Sequence, residues 1–84
     1  MKGKITIEIF GKGCKNCERL EANAIEASQQ LGKELEIIKV NEMDEIINRG
    51  VFKTPGLSIN GNIVSTGRVL STRKIAELLE HEIE

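Results

Sequence analysis

The chain has 84 residues, with 12 Lys plus Arg against 13 Asp plus Glu, two Cys, one Pro and one His. That length supports one domain over residues 1–84 and excludes a two-lobed enzyme with a cleft between domains. With no basic excess, two Phe and neither Tyr nor Trp, it offers no phosphate-holding surface or stacking platform, which excludes a nucleic-acid binder.

Apolar runs of two or three residues span no bilayer, so the chain is expected to be cytoplasmic and away from membranes. Residues 4–10 alternate: Ile5, Ile7 and Ile9 share one face, and Thr6, Glu8 and Phe10 the other, which predicts a strand starting at Lys4. Gly11-Lys12-Gly13 breaks it. From Cys17 the apolar positions Leu20, Ala24, Ala27 and Leu31 form one helical stripe that Gly32 closes. Leu35 to Val40 reads as a second strand, apolar enough to predict burial on both faces. Strand, helix and strand make a βαβ unit with parallel strands and a right-handed crossover.

Asn41 is positioned to cap a short helix with Met43, Ile46 and Ile47 as its apolar side and Gly50 as its stop. Residues 51–56 connect to Leu57-Ser58-Ile59. Asn60-Gly61 then predicts a type I′ hairpin turn, because both central residues need positive φ. Ser71 caps a last helix with the stripe Ile75, Leu78, Leu79 and Ile83. The fold class is α/β, in the order β-α-β-α-β-β-α, with a four-stranded mixed sheet and helices on both faces. Met43 and Phe52 fit core positions, and His81 fits a solvated surface.

Cys14-Lys15-Asn16-Cys17 stands where the first strand hands over to the first helix. The spacing puts both thiols on adjacent turns of one helix face. Cys14 lies at the helix N-terminus, where unpaired N–H groups and the helix dipole favour an anion, and Lys12 and Lys15 add positive potential. Thiols so placed have pKa values of roughly 3.5–7.5, against about 8.5 for a free Cys. Cys17 begins the buried stripe, so it keeps its proton longer. That asymmetry makes Cys14 the catalytic nucleophile and Cys17 the resolving thiol, with the Cys14–Cys17 disulfide as redox centre and no other cofactor. The alternative is a carrier of a soft metal ion between two thiolates, although tetrahedral zinc needs two further ligands that His81 alone does not supply.

The Cys pair after the first strand, Thr54-Pro55 before an antiparallel hairpin, and the closing helix together resemble the thioredoxin superfamily. Thr54-Pro55-Gly56-Leu57-Ser58-Ile59-Asn60-Gly61 and Ser65-Thr66-Gly67-Arg68 read like the second half of the glutaredoxin-sized thioredoxins of prokaryotes. The resemblance covers essentially the whole chain and implies a thiol–disulfide oxidoreductase. It further implies that Pro55 is cis beside the Cys pair and that the Thr54 backbone pairs with an extended substrate peptide. Disulfide-containing proteins or small molecules and a thiol reductant or reductase are the implied partners of a monomer. Gly13 and Asn16 stand where relatives carry Trp and Pro, which removes their aromatic platform. Gly67 alone remains of the double Gly that glutaredoxins use to approach glutathione. Glu8 matches the assisting buried carboxylate of thioredoxins only by position, and an exposed or salt-bridged strand residue is the favoured reading. Lys53 and Arg68 read as solvated charges, with attraction of an anionic partner as the alternative.

Overall fold

Alternation along the first strand decides how the sheet divides its neighbours. The computed structural model describes residues 5–12 and 15–82, the last by its backbone alone. Lys4, Gly13, Cys14 and Ile83 therefore lie outside the described residues. The elements are β1 (Ile5–Phe10), α1 (Lys15–Leu31), β2 (Leu35–Val40), α2 (Met43–Asn48), β3 (Gly56–Ile59), β4 (Asn62–Thr66) and α3 (Thr72–Glu82). The sheet order is β2-β1-β3-β4, with β1 and β2 parallel and the β1/β3 and β3/β4 pairs antiparallel. The fold is thioredoxin-like.

Ile5, Ile7 and Ile9 of β1 join Leu57 and Ile59 of β3 in a core closed by Leu20, Ala24 and Ala27 of α1 and by Ile75 and Leu79 of α3. Each buried Ile or Leu among them contributes about 1.5–3 kcal/mol relative to exposure, and each Ala less. The opposite face holds a much smaller cluster, Phe10, Ile46 and Val51, with Val40 against it. Asn60 (φ 51°) and Gly61 (φ 89°) form the positive-φ hairpin turn, and the Ser71 hydroxyl accepts the Lys74 N–H at 3.1 Å as the expected cap of α3.

Four expectations fail. β2 is not buried on both faces: it is an edge strand paired only with β1, and Ile38 is 40% exposed. The cap of α2 is Glu42 rather than Asn41, and it makes no side-chain cap bond. A six-residue helix over a small cluster buries little, so Ile46 is buried while Met43 and Ile47 stand half exposed. Phe52, expected in the core, is 79% exposed, because Val51 takes the inward position of that connection.

Candidate active site

The turn after β1 starts from a fixed point, since the Gly11 N–H donates to the Val40 carbonyl at 2.9 Å. Cys17, third in α1, is buried at the top of the main core. A Cβ on Gly11 would overlap Cys17 Sγ and come within 3.8 Å of Thr54 Cβ. Gly11 is thus the close-approach residue that lets the helix bring its thiol against the strand end and the Thr54 loop. Its φ is ordinary, so the requirement is for space alone. Local pattern marks Gly11 only as a strand breaker; no signal in the sequence shows what approaches it.

The Thr54–Pro55 peptide bond is cis, with Pro55 buried and Thr54 exposed. The Pro55 carbonyl accepts the Gly67 N–H at 2.8 Å. Gly67 has φ 74°, and a Cβ there would stand 3.1 Å from Lys53 Cβ, so this turn requires glycine on two counts. Three loops therefore converge: that after β1, that before β3 and that after β4. Cys17, Thr54 and Pro55 are brought together, while Lys12 and Lys15 lie exposed on the first loop and at the start of α1. Cys14, the expected nucleophile, lies outside the described residues.

On its other side Cys17 walls a cavity of about 190 Å³, shared with Ile9, Gly11, Glu18, Glu21, Lys39 and Asn41. Lys39 Nζ and Glu21 Oε1 pair at 3.1 Å across it. Among the described residues no group of three or more His, Cys, Asp or Glu is arranged to hold a metal ion. No described helix is long and apolar enough to cross a membrane. His81 is exposed, as expected.

Glu8 takes no part in this convergence. It lies on the α2 face of β1, opposite the isoleucines that pack with Cys17. Arg49 Nη1 and Nη2 donate to its two carboxylate oxygens at 2.8 and 2.7 Å, and Ser58 Oγ donates at 2.8 Å. The Arg49 hydrogen bonds hold the carboxyl below its ordinary range, against the upward push of burial, and Ser58 assists. The same pairing raises the Arg49 pKa above its ordinary value. The guanidinium also sits 5.2 Å from the centroid of the Phe10 ring. Glu8 is therefore a fixed anion, and of the two readings the sequence favours, exposed or salt-bridged, the second holds. Neither Arg49 nor Ser58 was visible as its partner from local pattern.

A thiol at the start of a helix, backed by a glycine strand end and facing a cis-proline loop, defines a thiol-exchange protein of thioredoxin fold. The thioredoxin-domain family model matches residues 5–80. A thioredoxin of Methanothermobacter thermautotrophicus is 44% identical over 73 residues, covering 87% of this chain and 95% of that protein. A thioredoxin of Methanocaldococcus jannaschii is 38% identical over 80 residues, covering 95% and 92%. Among solved structures, thioredoxin-2 of the malaria parasite superposes with a TM-score of 0.68 at 18% identity, covering 96% of this chain and 85% of that one, which speaks for the fold. The chain belongs to the thioredoxin family and is a thiol–disulfide oxidoreductase.

Proposed function

We propose that residues 1–84 act as a single redox domain in which Cys14 is the nucleophile and Cys17 the resolving thiol, with their disulfide as its sole redox centre. The Cys14 thiolate, favoured by Lys12, Lys15 and the helix N-terminus, attacks one sulfur of a partner disulfide and displaces the other as thiolate. Cys17 then loses its proton and attacks Cys14 Sγ. The Cys14–Cys17 disulfide forms, the partner leaves as a dithiol, and two electrons have passed to it. A thiol reductant or reductase restores the dithiol. Thr54 offers its backbone to the partner as a paired extended segment, and Pro55 shapes that edge. A reducing cytoplasmic setting suits this cycle, and the domain acts as a monomer.

One observation carries the reading: a buried Cys17 set against Gly11 and beside the cis Thr54–Pro55 loop. The test is mass spectrometry of metal-free protein equilibrated across a dithiothreitol or glutathione series. The expected result is a reversible loss of two hydrogens with a midpoint between about −180 and −270 mV. A protein that forms no internal disulfide, or that keeps a tightly held metal at the Cys pair, contradicts exchange and leaves metal carriage by the two thiolates.

A further inference from the structure

The three loops that converge on the thiol site carry basic residues and no acidic ones. Residues 11–17, 50–56 and 66–69 contain Lys12, Lys15, Lys53 and Arg68 and no Asp or Glu, in a chain whose formal charge is −1. All four cations are exposed. Among the described residues none of the four enters an ion pair, whereas Lys39, Arg49, Arg73 and Lys74 each do. The neighbouring acids lie beyond Cys17 on the cavity side, where Glu21 is bound to Lys39 and Glu18 enters no ion pair among the described residues. On the loop before β3, next to Lys53 and two residues before Thr54, Phe52 presents its ring 79% exposed.

Like charges gathered within a Debye length of roughly 10 Å repel one another, and an anionic partner relieves that repulsion. An exposed aromatic side chain inside a charged rim is the usual make-up of a binding anchor, where the ring supplies apolar contact and the rim selects. From this juxtaposition we propose that the site selects disulfides in polypeptide segments that carry acidic residues beside an apolar one. The apolar side chain covers Phe52 while the acids face Lys12, Lys15, Lys53 and Arg68. This names the substrate class of the thiol exchange proposed above and rests on that reading. It also replaces the aromatic platform that Gly13 and Asn16 do not provide, from a different loop.

The test uses the reduced full chain and two disulfide-cyclised peptides of one sequence, with Glu flanking a Phe-Cys core in the first and Lys in the second. Second-order rate constants for disulfide reduction should favour the acidic peptide by about ten-fold at low salt and by about two-fold at 0.5 M salt. Lys53→Glu combined with Arg68→Glu should reverse the preference, and Phe52→Ser should slow reduction of both peptides several-fold. Equal rates for the two peptides, or a preference indifferent to salt and to both charge reversals, overturn the inference. Glutathione disulfide reduced as fast as the acidic peptide shows that charge alone selects and overturns the polypeptide part. Hydroxyethyl disulfide, which is uncharged, reads the thiol chemistry by itself. Failure to reduce it overturns the exchange reading and this inference with it, whereas its reduction without any peptide preference overturns this inference alone.

Discussion

The two faces of the sheet are held in different ways. Under α1 and α3, ten aliphatic side chains from four elements interlock with Cys17 in one continuous core. Under α2 there are three buried residues, and the face is tied instead by the Glu8–Arg49–Ser58 hydrogen-bond set. The division of labour bears on the site, because it is assembled from both faces. Cys17 belongs to the large core. The connection carrying Thr54 and Pro55 is anchored from the small one, where Val51 packs among Phe10 and Gly56 two residues after Arg49. One half of the thiol site thus rests on distributed packing and the other on a few directional bonds.

Cutting into the large core should give the greatest loss. Leu20→Ala removes a fully buried side chain between the sheet and α1, and is expected to cost about 2–5 kcal/mol in denaturant unfolding. A cost below about 1 kcal/mol would show that α1 is not held by that core.

At the seam between the faces, Gly11→Ala drives a methyl group into the Cys17 sulfur while the Gly11 N–H is held by Val40. Overpacking of this kind costs about 1–3 kcal/mol. Thiol exchange should slow as well, since the displaced group is the sulfur proposed to resolve the mixed disulfide. Unchanged stability with unchanged exchange would contradict the close approach.

The small face is probed by pH. Arg49 holds the Glu8 carboxyl below its ordinary value of 4.5, so its contribution is complete above that value and is lost as pH falls through the lower folded value. Glu8→Gln should therefore lower Tm at pH 7, and the gap to the parent should narrow steadily from about pH 4.5 downward. Because the pair is partly open to solvent, the effect is the smallest of the three. A gap that widens in acid would reverse the assignment.

Much of the large face could be read directly from the chain, and much less of the small one. The β1 alternation, the Cys17-to-Leu31 stripe, Asn60-Gly61 and the Ser71 cap are local signals, and each stands where its pattern puts it. The exposure of β2 follows from sheet order, which no local pattern contains: an apolar run looks alike at an edge and at a centre. Phe52 and Met43 read as core from their apolarity, but the cluster beneath α2 is made of Phe10, Ile46 and Val51 with Val40 against it. Glu8 meets Arg49 across 41 positions, a distance over which side-chain pairing leaves no periodic trace. In the site, Cys17 and Thr54-Pro55 are legible from their motifs, while Cys14 lies outside the described residues. The packing of Gly11 on Cys17 and of Gly67 on Lys53 was not, because it depends on how three separated loops meet.

The central claim is the division of roles between the two thiols, and trapping tests it most directly. Cys17→Ser and Cys14→Ser proteins, each reduced and mixed with a disulfide-cyclised peptide, are analysed by non-reducing mass spectrometry. The account predicts that Cys17→Ser accumulates a mixed disulfide through Cys14 and that Cys14→Ser does not. Equal trapping by the two variants, or trapping through Cys17 alone, would contradict it.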